Sequence, residues 1–90
     1  SKTPGPTSKV KIAFTGWETD GRLFRSTILE GRPSIMPLDR ISSKGLSEAL
    51  QLMTKGEKRR YWIPAELAYK GSPNGPQGMI VMDIEMLSFQ

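Results

Sequence analysis

The sequence predicts an α+β domain in which an antiparallel sheet of about five strands covers one short helix. Two observations carry this. Period-two alternation of apolar and polar residues recurs in KVKIAFTG, KRRYWI and MIVMDIEML. Between them, one stretch changes to helical spacing: Leu46, Ala49, Leu50 and Met53 fall at i, i+3, i+4 and i+7. Ninety residues, 37% of them hydrophobic and 24% charged, suit one small globular core rather than a disordered chain.

The opening SKTPGPTS predicts a flexible lead-in over residues 1–8, with the folded domain spanning 9–90. In the first strand Val10, Ile12 and Phe14 share one face, and Lys9, Lys11, Ala13 and Thr15 the other. Glu18 to Gly21 supplies a turn, because Gly21 tolerates positive φ, and RLFRST resumes an extended strand to complete a hairpin. Ser34 to Leu38 forms a further short strand in which Pro37, lacking an N–H, sits at an edge or an end. The helix runs from Lys44 to Met53, with Ser42 or Ser43 able to cap its start and Gly56 able to end it.

KRRYWI sets Arg59, Tyr61 and Ile63 opposite Lys58, Arg60 and Trp62, and Pro64 stops the run. AELAY reads as a helical turn, and KGSPNGPQG as a loop. In the last strand Ile80, Met82, Ile84 and Met86 face inward, with Val81, Asp83, Glu85 and Leu87 on the other side. The acids alternate as Lys58 and Arg60 do, so the two strands can pair acid against base, at about 0.2 to 1 kcal/mol per pair. Such pairing accounts for the basic run without nucleic acid, which is not an expected partner despite a net charge of +4. Trp62, on the same face as Lys58 and Arg60, suits a cation–π contact or a protein-binding anchor.

Histidine and cysteine are both absent. This excludes zinc sites built on thiolate or imidazole, cysteine nucleophiles and imidazole-dependent serine triads, and no metal or cofactor is expected. Without cysteine the composition suits either a reducing or an oxidising compartment. No apolar run approaches membrane-spanning length.

The segments FTGWETDGRLFRST, EALQLMTKGEKRRYWIPAELAY and GMIVMDIEML, in this order and spacing, resemble the FKBP-type peptidyl-prolyl isomerases over about residues 9 to 89. The family pattern runs from Tyr-Thr-Gly through Asp-Gly and Phe-Asp-Ser-Ser to Gly-Glu-Lys-Arg, Ile-Pro, Ala-Tyr-Gly and Leu-Val-Phe-Asp-Val-Glu. The resemblance implies a half-barrel sheet wrapped around the helix and an apolar pocket that takes a proline side chain. It also implies cis/trans isomerisation of X-Pro bonds in protein or peptide segments, and binding of macrolides such as rapamycin in the same pocket.

Position by position, Phe24 matches the family's aromatic and Tyr69 the tyrosine whose hydroxyl hydrogen-bonds the ligand. Phe14 stands where the family has the tyrosine of Tyr-Thr-Gly, and Arg25 replaces the aspartate after the phenylalanine. Leu46 takes the place of the tryptophan that floors the pocket, and Met82 that of a phenylalanine in the last strand. Ser42 and Ser43 lie where a Val-Ile pair is usual, with Ile41 able to take part of that role. These departures imply reduced isomerase activity and weakened macrolide binding; the alternative is a non-catalytic module for protein interaction or chaperone work. Many relatives also carry a strand before the first one here, so the strand with Tyr61 and Trp62 is expected to have an exposed edge.

Overall fold

Residues 2–73 and 75–90 are described by a computed structural model. Strand β1 (Lys9–Glu18) leads through a turn, with Gly21 at φ 88°, into β2 (Leu23–Ser26). A one-turn helix α1 (Thr27–Glu30), strand β3 (Ser34–Pro37) and a 3-10 turn (Leu38–Arg40) follow. Helix α2 (Lys44–Leu50), strand β4 (Lys58–Ile63), a second 3-10 turn (Ala65–Leu67) and β5 (Ile80–Phe89) complete the chain.

All strands form one antiparallel sheet in the order β2-β1-β5-β4. β2 and β3 pair with successive parts of β1, at Thr15 to Trp17 and at Lys9 to Ile12. β4 pairs with β5 alone and so forms an edge among the described residues.

The alternation sorts the residues as expected. Val10, Ile12, Phe14, Ile80, Met82, Ile84 and Met86 are buried and meet Leu46, Leu50 and Met53 in one core. The Tyr61 hydroxyl donates to the Ala49 carbonyl at 3.1 Å, tying β4 to the helix. On the outer face Lys58 stands opposite Glu85 and Arg60 opposite Asp83, the acid-against-base pairing expected from the sequence. Arg60 grips Asp83 through two hydrogen bonds of 2.6 and 2.9 Å. These donors, more than the neighbouring charge, hold the Asp83 carboxyl below its ordinary pKa.

Three local expectations change. RLFRST does not remain extended: the Ser26 hydroxyl caps the Leu29 N–H and Gly31 closes the turn in the left-handed region, so α1 interrupts the strand. Thr27 is held by a long-range contact, because its Oγ1 accepts from Phe14 N–H at 2.9 Å. Helix α2 ends at Leu50, and Gly56 lies in a later turn where its N–H donates to Met86; Met53 is buried without being helical. Of the two serines proposed as caps, Ser43 does the work, accepting the Leu46 N–H at 3.1 Å. The cation–π partner of Arg60 is Trp17, at 5.9 Å, because Asp83 draws the guanidinium toward β1; Trp62 stays 62% exposed on the edge strand. Among the described residues no helix is long and apolar enough to cross a membrane.

Candidate functional site

A cleft of about 370 Å³ opens beside the β2 end of the sheet. Phe24 and Arg25 from β2, Ser42 ahead of α2, and Tyr69 after the second 3-10 turn line it, together with Ser72, Pro73, Gly75 and Pro76 from the following loop. The rings of Phe24 and Tyr69 meet edge to face, with centroids 6.0 Å apart and planes at 69°. This is the favoured arrangement for two aromatic quadrupoles, and it leaves ring faces to form an apolar corner.

Two close approaches make the corner possible. A Cβ on Gly16 would lie 2.5 Å from Cε1 of Phe24, so only a bare backbone lets that ring settle on β1. A Cβ on Gly75 would lie 2.8 Å from Cβ of Tyr69, so the loop can close on the tyrosine only at glycine.

The electrostatics are simple. Burial raises the Tyr69 pKa, with Arg25 pulling weakly the other way, so the phenol is protonated at neutral pH and can donate. Arg25 donates from Nε to Glu30 at 3.0 Å and from Nη2 at 3.4 Å, and its guanidinium carbon lies 5.2 Å from the centre of the Phe14 ring. No group of three or more potential metal-ligating side chains occurs among the described residues.

Of the residues singled out from sequence, Phe24, Arg25, Ser42 and Tyr69 come together on the cleft. Phe14, Leu46 and Met82 lie in the core behind it, at 5%, 3% and 0% exposure, so they support the walls instead of lining them. Ile41 is half-buried against that core, and Ser43 is fully buried at the helix cap. The contributions of Gly16, Ser72, Pro73, Gly75 and Pro76 were not legible as site residues. Pro73 and Pro76, apolar rings in an otherwise polar loop, were the one available signal.

A second depression, of about 670 Å³, lies on the outer face between Trp17, Ile28, Arg60 and Asp83. Its central cation and carboxylate already satisfy each other.

The site thus sits on an antiparallel sheet over a short helix, with the Phe24 and Tyr69 rings meeting edge to face at the cleft. The chain belongs to the FKBP-type peptidyl-prolyl cis-trans isomerase family, whose sequence model matches residues 1–87. It is 36% identical to the FKBP-type peptidyl-prolyl cis-trans isomerase FkpA of Aeromonas hydrophila over 97% of its own length and 33% of that protein. It is 35% identical to the FKBP-type 22 kDa peptidyl-prolyl cis-trans isomerase of Escherichia coli, over 93% of this chain and 42% of the relative. The fold superimposes on the crystal structure of FkpA from Escherichia coli with a TM-score of 0.91 at 31% identity, covering 100% of this chain and 43% of that one. For the three FKBP domains of wheat FKBP73 the TM-score is 0.86 at 26% identity, covering 100% and 41%. The chain thus spans well under half the length of these relatives, and the expected sheet-over-helix architecture is borne out.

Proposed function

We propose that this domain catalyses cis/trans rotation about X-Pro peptide bonds, holding the proline ring in the corner between Phe24 and Tyr69. The observation that carries the reading is the edge-to-face contact of these rings at 6.0 Å, in a chain of this family. Rotation has a barrier of roughly 18–20 kcal/mol because it breaks amide resonance. A catalyst can lower it by favouring the twisted amide over both planar forms. The apolar corner excludes water from the rotating bond, and the Tyr69 hydroxyl donates to a substrate carbonyl. No nucleophile, general base or metal is needed, which agrees with a chain that has no histidine or cysteine.

The activity is lower than that of relatives with the full family pattern. Phe14 lacks the hydroxyl of the tyrosine it replaces, Leu46 and Met82 are smaller or softer supports than aromatic rings, and Ser42 and Arg25 make the rim polar. For the same reasons macrolides of the rapamycin type bind weakly. The second reading, a non-catalytic module for protein interaction, is favoured by the open edge of β4 and its exposed Trp62.

The test is the refolding of a protein whose slow phase is limited by proline isomerisation. Catalytic amounts of this chain speed that phase under the isomerase reading and leave it unchanged under the second.

A further inference from the structure

We infer that Arg25 makes the cleft select proline segments that carry an acidic side chain next to the proline. This deepens the isomerase reading and rests on it. Among the described residues lining the cleft, Arg25 is the one charged group. The groove that continues past Phe24, Gly75 and Pro76 has Glu18 and Arg22, one charge of each sign, and so adds no net charge to the lining.

The guanidinium is also held in place. Glu30 engages Nε and Nη2, and the Phe14 ring lies beneath the guanidinium carbon at 5.2 Å. An arginine fork carries further N–H groups on Nη1, which donate to nothing among the described residues, so Glu30 orients the cation while leaving donors for a second carboxylate. Both members of this pair are nearly half exposed, at 46% and 43%, so the ion pair is weak and a substrate carboxylate can share the guanidinium with Glu30. Arg25 and Tyr69 line the same cleft, so a proline held against Tyr69 brings a carboxylate on either of its neighbours toward the guanidinium.

The experiment uses the chain as it stands and two pairs of peptides, Glu-Pro against Gln-Pro and Pro-Glu against Pro-Gln, identical elsewhere. NMR exchange reads the isomerisation rate, and shift titration reads affinity. In at least one pair the glutamate peptide is favoured roughly two- to fivefold at low ionic strength, the range expected of a part-exposed charge pair. High salt shrinks that ratio and Arg25→Gln abolishes it. Equal handling of glutamate and glutamine in both pairs overturns the inference, as does a preference that survives Arg25→Gln. If the peptides bind without faster exchange, the isomerase reading fails while the affinity ratio still decides the role of Arg25. If none binds, both fall.

Discussion

The Ser43 hydroxyl donates to the Leu67 carbonyl at 2.6 Å, joining the start of helix α2 to the 3-10 turn that precedes Tyr69. The same oxygen accepts the Leu46 N–H, so one fully buried side chain caps the helix and fixes a wall of the cleft. Ser43→Ala removes the cap and leaves a buried N–H unpaired, at a cost of about 1–3 kcal/mol. Urea unfolding reads that loss as a lower midpoint. In the fraction that stays folded, isomerisation declines because the turn before Tyr69 is no longer tied down.

Under the proposed function, variants of Phe24 and Tyr69 separate two contributions to binding. Phe24 is half-buried, so Phe24→Ala removes part of the roughly 1.5–3 kcal/mol that a buried aromatic supplies, or about tenfold in kcat/KM. Tyr69→Phe keeps the ring and removes one donor, worth about 0.5–1.5 kcal/mol, or roughly two- to tenfold. Steady-state isomerisation of a Leu-Pro peptide measures both, and stability changes little in the second variant.

Gly16 sets the position of Phe24 from the neighbouring strand. In Gly16→Ala the new methyl meets the ring at 2.5 Å and displaces it, at an overpacking cost of about 1–3 kcal/mol. Amide shifts around Phe24 and Tyr69 move, and isomerisation falls toward the Phe24→Ala level.

On the outer face, Arg60 lowers the Asp83 pKa in the folded state. The contribution is therefore present above the ordinary carboxylate pKa and is lost as pH falls through the lowered folded value. Asp83→Asn costs about 0.2–1 kcal/mol at neutral pH, because the pair is exposed, and the difference from wild type closes in acid. Thermal unfolding of both proteins across that range checks the sign.

The strands β1, β4 and β5 were legible because each buries one face, which imposes strict alternation. The parity of Lys58 and Arg60 against Asp83 and Glu85 indicates that acid can face base, and the structure sets the register as Lys58 opposite Glu85 and Arg60 opposite Asp83. Helix α1 was hidden because a one-turn element has no period to detect; a Ser26 cap, a left-handed Gly31 and the Thr27 contact with Phe14 define it. In the site, Phe24 and Tyr69 stood out through the family motif. The loop walls did not, since Pro73 and Pro76 interrupt any pattern, and Gly16 and Gly75 matter through approaches to rings that local sequence does not encode.

The most direct measurement is NMR exchange between the cis and trans forms of a Phe-Pro peptide, with wild-type protein and with Phe24→Ala, whose fold is checked by its amide spectrum. The account predicts accelerated exchange with wild type and roughly tenfold less with the folded variant. Exchange that is unaffected by the wild-type protein at high concentration, or equally fast with Phe24→Ala, contradicts it.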